Sequence, residues 1–200
     1  MNIKSLAIAL AWKVGRIRLS RRIVLAYHGI WAGPTDNFLT VELDNFRWQI
    51  EFIKQHYRIV TLEEVIGSER NDRIAAITID DCYAQLMPEA IEFIRNSRFP
   101  VTLFAPTGLL GGSIAAREKQ YPVLTSSDLL SIDSDLFSIG SHSITHRELP
   151  DLSDEERDVE IRQSKEDLQK LLGHIVNLFA YPRGEYNSDI RNPTERVGYS

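Results

Sequence analysis

Two hydrophobic rhythms alternate along the chain. Short, nearly unbroken apolar runs at Arg22–Tyr27, Tyr57–Val60, Ile74–Ile79, Val101–Phe104, Leu136–Gly140 and Ile175–Ala180 read as strands of a buried sheet. Between them, apolar residues recur at helical spacing. Phe46, Ile50 and Ile53 follow the start signal Asp44-Asn45, and Ile91 and Ile94 follow Pro88. Thr61-Leu62-Glu63-Glu64 and Ser153-Asp154-Glu155-Glu156 are capping boxes. The second opens a helix predicted to run to about Leu172, with Gly173 as its stop and Val159, Leu168, Leu171 and Leu172 as its apolar positions. The many charges on that helix read as a solvated face. Ser127–Leu130 predicts a further short helix. Residues Pro106 to Val123, rich in small residues and without a clear period, read as a long loop.

Strand and helix in alternation predict an α/β fold with a mainly parallel sheet. Curled into a barrel, such a sheet brings the C-terminal ends of its strands to one mouth. The notable polar residues all follow predicted strands. His28 follows the first, Asp80-Asp81 the central run, His142 and His146 a later one, and the turn Tyr181-Pro182-Arg183-Gly184 the last. That shared position is the first sign of a site.

Two carboxylates at the end of a buried strand are costly unless something pairs with them. His142 and His146 stand at i and i+4, which on a helical turn would place both imidazoles on one side. With one aspartate they form a 2-His-1-carboxylate set that keeps coordination positions open for water and substrate. Adjacent strand residues point in different directions, so one aspartate can ligate while the other faces the water. His28 is a candidate general acid. His56 and His174 read as structural or surface residues, and the lone Cys82 as a packing residue that a nearby metal could also bind.

Composition narrows the partners. The apolar fraction of 43% suffices for a sizeable core, and the net charge of -5 argues against nucleic acid. A single cysteine excludes an intrachain disulfide. Residues 1–22 differ from the rest: Lys4, Lys13, Arg16, Arg18, Arg21 and Arg22 occur there without an acid. The apolar stretch between Lys4 and Lys13 is too short to span a bilayer. A signal peptide core, a basic helix on a membrane surface and an ordinary packed helix all fit it. A cytoplasmic or inner-membrane-peripheral location is favoured over secretion, with peripheral contact through residues 1–22.

Together these residues resemble the polysaccharide deacetylase family, also called the NodB-homology domain or carbohydrate esterase family 4. Thr78-Ile79-Asp80-Asp81 resembles its first motif, usually Thr-Phe-Asp-Asp-Gly, and His142-Ser143-Ile144-Thr145-His146 its second. Phe179-Ala180-Tyr181-Pro182-Arg183-Gly184 resembles the third. Leu25-Ala26-Tyr27-His28-Gly29 resembles the early Tyr-His segment of the subgroup that deacetylates poly-N-acetylglucosamine. The resemblance covers about Ile23 to the end. It implies an α/β, distorted and incomplete (β/α) barrel over residues 23–200. It also implies Asp80 as base, His28 as acid, and Asp81, His142 and His146 as ligands of a divalent metal, zinc first. The Tyr181-Pro182-Arg183 turn would supply an oxyanion N–H at Arg183, and the substrate would be an N-acetylated saccharide.

Three features depart from the family pattern. Cys82 replaces the usual Gly, Ala180 stands where many members carry an arginine, and no Leu-x-His motif follows Arg183. The end after Arg196–Ser200 reads as a chain stopping before its last strands. The expected function is a metal-dependent deacetylase of an N- or O-acetylated saccharide. Two alternatives stand beside it: a carbohydrate-binding relic of the same fold, and a 2-His-1-carboxylate iron oxygenase, although oxygenases place their acid close to the first histidine.

Overall fold

The computed structural model describes residues 20–33, 39–68, 72–84, 88–116, 119–132 and 135–200, with the side chains of 116, 188 and 189 left aside. The expectation for the basic N-terminal segment therefore falls outside the described residues up to position 19. Among the described residues no helix is long and apolar enough to cross a membrane.

The chain runs β1 (Arg22–Tyr27), β2 (Gly29–Trp31), β3 (Thr40–Glu42), α1 (Leu43–Lys54), β4 (Arg58–Ile59), α2 (Leu62–Gly67) and β5 (Ile74–Ile79). It continues through α3 (Pro88–Ser97), β6 (Val101–Ala105), β7 (Ser113–Ala116), β8 (Lys119–Pro122), α4 (Ser126–Ile132), β9 (Phe137–Ser141), α5 (Asp154–Leu172) and α6 (Ser188–Arg196). The main sheet is parallel throughout, in the order β1-β5-β6-β9, with β4 paired to the first two residues of β5. β5 and β6 are buried along their whole length, as strands covered on both faces must be.

Strand parity decides which residues meet. Ile77 and Ile79 of β5 pack outward with Phe46 and Ile50 of α1. Ile74 and Ala76 turn the other way, joining Leu62, Val65, Phe104 and Leu178. Because side chains alternate along a strand, the inward set continues through Thr78 to Asp80. On β1 the matching positions are Val24, Ala26 and then His28. All of these residues from Val24 to His28 and from Thr78 to Asp80 line one cleft. The parallel register, with Ala26 opposite Thr78, brings His28 and Asp80 to the same edge. Among the described residues the sheet does not close into a full barrel.

Three expectations need correction. Pro106–Val123 is not an irregular loop: it holds a single turn at Thr107–Leu109 and the antiparallel hairpin β7–β8, in which Ile114 faces Tyr121 and both are buried. Its strands have four residues each, too few to show a period. Ile175–Ala180 pairs with the sheet only at Phe179, opposite Ser141. Hydrogen bonds from Ser141 N to Leu178 O and from Ala180 N to Ser141 O, both 2.9 Å, hold it there, while Ile175 is exposed. Finally, the face of α5 is not uniformly solvated: Arg157, Glu160 and Lys165 are buried among its charges. Its start is as predicted, with Ser153 and Glu156 forming both halves of the capping box and Gly173 closing the helix at φ 76°.

Candidate metal and hydrolytic centre

The central strand ends in an abrupt change of backbone. Asp80 N still donates to Tyr27 O at 2.8 Å, in the ladder between β5 and β1. Asp81 and Cys82 then adopt left-handed conformations, φ 65° and 50°. The chain turns sharply at the second carboxylate, whose Oδ1 approaches the two histidines. Cys82 occupies a conformation that glycine takes at less cost. Its buried thiol donates to Phe104 O at 3.4 Å. Burial, followed by the charges of Asp81 and Asp80, pushes that thiol far up, so it stays neutral.

Asp81 is the meeting point. Its Oδ1 lies 3.0 Å from His146 Nε2 and 3.4 Å from His142 Nε2. One potential ligand atom from each of these three residues lies within 4.8 Å of the other two. The histidines are not on a helical turn, contrary to the spacing argument. Residues 142–146 form an irregular loop with Ser143 at φ 64° and His146 at φ 58°, and two left-handed residues bring the imidazoles together instead. His142 Nδ1 is 2.8 Å from Ala180 O. A proton on Nδ1 satisfies that carbonyl and leaves the Nε2 lone pair directed at Asp81, the arrangement that metal-ligating histidines use.

The electrostatics fit a cation. Burial would raise the Asp81 carboxyl, but the two imidazoles outweigh it and hold the group well below the usual carboxylate range. Burial resists charging of His142, yet Asp81 and Asp80 together raise it. Asp80 is raised, first by burial, against the opposing charges of His142 and His28. Asp80 Oδ1 and Asp81 Oδ1 are buried with no hydrogen-bond donor in good geometry. Two orphaned carboxylate oxygens beside converging imidazole nitrogens are what a divalent ion would satisfy, and the Asp-His-His donors suit zinc or a similar borderline ion.

These residues open into a cleft of about 890 Å3 that also takes in Tyr83, Glu148 and the Tyr181–Tyr186 segment. A separate cleft of about 830 Å3, between the start of α5 and α6, is lined by Arg157, Asp158 and Arg196 and lies apart from the aspartate and histidine cluster. The third-motif turn is tight: Arg183 sits at φ 58°, and Gly184 N and Glu185 N donate back to Tyr181 and Pro182. Among the described residues the Arg183 N–H has no backbone acceptor. Its side chain pairs instead with Glu148 at 2.9 Å, and Pro182 is buried beneath the turn. The structure thus brings His28, Asp80, Asp81, His142, His146 and the Tyr181–Arg183 turn to one cleft.

The family model for polysaccharide deacetylases matches residues 67–200. The chain belongs to that family. It is 25% identical over 182 residues to YxkH of Bacillus subtilis (strain 168), whose name places it among the polysaccharide deacetylases; the match covers 88% of this chain and 61% of the relative. The fold of the family is equally plain. The Streptococcus pyogenes deacetylase PplD, solved with acetate, superposes with a TM-score of 0.74 at 22% identity, covering 88% of this chain and 80% of that one. IcaB from Ammonifex degensii gives 0.77 at 17% identity, covering 90% and 81%. A de-N-acetylase from Aggregatibacter actinomycetemcomitans gives 0.75 at 16%, covering 89% and 85%.

Two contributors escaped the sequence reading. Tyr83 reads as an ordinary aromatic two positions past Asp81. It is nevertheless buried against the cleft, and burial followed by the Asp81 charge keeps its phenol protonated. Glu160 is one of many acids on α5, and only its burial beneath the histidine loop distinguishes it.

Proposed function

We propose that this chain is a metal-dependent hydrolase that removes acetyl groups from an N-acetylated saccharide or polysaccharide. The convergence of Asp81, His142 and His146 beside a free Asp80 carboxylate carries the reading. Asp81, His142 and His146 would hold a divalent cation, zinc first. Bound there, such an ion lowers the pKa of water and polarises a carbonyl.

The chain's own residues supply the rest. Asp80, just past the end of β5 and lining the cleft, takes the proton from the attacking water. As the acyl carbon becomes tetrahedral, the Arg183 N–H donates to its oxygen, where negative charge develops. Breaking the C–N bond requires a proton on the amine nitrogen. His28, across the cleft on the β1 side, donates it, leaving acetate and the free amino sugar. Burial of Pro182 and the Arg183–Glu148 pair fix the turn that carries the N–H.

The test is acetate release from N-acetylglucosamine oligomers by metal-loaded protein, wild type against His28→Ala. The wild type should release acetate, and loss of the proton donor should lower kcat by about 100-fold or more. An unchanged kcat in His28→Ala would remove His28 from the mechanism.

A further inference from the structure

The histidine loop is irregular and largely buried, so its backbone polar groups must be satisfied locally. His142 N donates to Ala105 O at 3.0 Å and Ser143 N to Ser141 Oγ at 3.3 Å. His146 N donates to Ser143 Oγ at 3.1 Å. On the acceptor side, Ser143 O and Ile144 O receive Thr107 N and Gly108 N at 3.0 and 2.9 Å. The two central amides, Ile144 N and Thr145 N, both donate to one atom, Glu160 Oε2, at 2.8 and 2.9 Å. The other oxygen, Oε1, accepts from the Thr145 hydroxyl and lies 3.5 Å from Arg147 Nη2. Glu160 is 2% exposed.

We propose that Glu160 is the positioning residue of the metal site, its carboxylate holding the 142–146 backbone in the shape that aims both imidazoles at Asp81. This rests on the metal-site reading above. Successive N–H groups after a left-handed residue form a concavity that favours an anion. The left-handed Ser143 precedes these two amides, and Glu160 fills the concavity from α5. A neutral amide at the same place could still accept from one side. It would lose the charge assistance on both N–H bonds and would turn an NH2 toward Arg147. Glu160 touches neither ion nor substrate, so its effect passes entirely through the loop.

A structural role and a positioning role predict different outcomes. Metal affinity is measured by titrating the metal-free full chain with Co2+ and with Zn2+, and the visible bands of the Co2+ complex are recorded. Thermal melting is followed without metal. Glu160→Gln should fold, bind either ion about tenfold or more weakly than wild type, and shift the Co2+ bands. Ser153→Ala, which loosens the start of the same helix, should melt earlier yet bind Co2+ as wild type does. Should Glu160→Gln not fold, Thr145→Val removes one of the three hydrogen bonds between Glu160 and the 142–146 loop and should still weaken Co2+ binding measurably. A folded Glu160→Gln with wild-type affinity and bands overturns the inference, as does an unaffected Thr145→Val in the absence of a folded Gln variant. A wild type that binds neither ion overturns the metal-site reading and this inference with it. A weakened Ser153→Ala, matching its loss of stability, would show that helix stability and not position is being read.

Discussion

Gly140 offers a quantitative test of how tightly the floor of the site is packed. It lies in β9, opposite Phe104 of β6 and two residues before His142. A Cβ at this position would meet Phe104 Cε1 and Cδ1 at 2.4 and 2.6 Å and Leu178 Cβ at 3.1 Å. All three atoms belong to the buried cluster under the cleft. Overpacking a closed core costs about 1–3 kcal/mol. The smaller unfolded-state entropy of alanine returns about 0.4–1 kcal/mol, because the backbone here is ordinary extended strand. Gly140→Ala should therefore lose about 1–2 kcal/mol, which for a chain of this length lowers Tm by roughly 2–8 °C. Urea unfolding should show a lower midpoint at unchanged m-value. Trimming the obstacle in Phe104→Leu/Gly140→Ala should recover part of the loss, and the double-mutant cycle should give a favourable coupling. A Gly140→Ala protein as stable as wild type would refute the packing argument.

Other expectations follow from contacts outside the Asp81, His142 and His146 cluster. Ser153→Ala removes the side-chain half of a complete capping box and should cost about 1 kcal/mol, read by urea unfolding. Lys165 Nζ donates to Val197 O and Gly198 O at 3.2 and 2.7 Å and lies 4.5 Å from the centre of the Tyr199 ring. Lys165→Met should loosen the end of α6, seen as faster cleavage near residues 197–200 in limited proteolysis. Glu160 also predicts a pH effect. Burial would raise its carboxyl, but the donors from Thr145 and Ile144 outweigh burial and hold it below its ordinary 4.5. Its contribution to stability is thus complete above that value and disappears as pH falls through the lower native one. Stability of the wild type should decline more steeply on the acid side than that of Glu160→Gln, and equal slopes would contradict the assignment.

Much of this architecture was legible because strand parity and burial leave a direct trace in the sequence. Ile74–Ile79 reads as a buried strand ending in two carboxylates that point apart, while the face that Asp80 shares is set by the contacts of Ile74 and Ala76 with Leu62, Val65 and Leu178. The Ser153 capping box is equally local. What escaped depends on contacts distant in sequence. The His142 and His146 imidazoles meet through two left-handed residues, a geometry that i and i+4 spacing imitates but does not specify. The hairpin β7–β8 exists because Ile114 and Tyr121 find a core to enter. Glu160 could not be told from its solvated neighbours, since what singles it out is a pair of amides from residues 144 and 145. Cys82 shows the reverse: a departure from the family pattern in sequence occupies the same kind of left-handed turn that glycine favours.

The division of labour between the two aspartates is the centre of the account, and one paired measurement tests it. Acetate release from acetylated saccharides and bound metal should be determined on the same preparations of wild type and Asp80→Asn. The account predicts that Asp80→Asn keeps its metal and loses about 100-fold or more of the rate. Failure of metal-loaded wild type to release acetate from any acetylated saccharide, or an Asp80→Asn variant as fast as wild type, would contradict it.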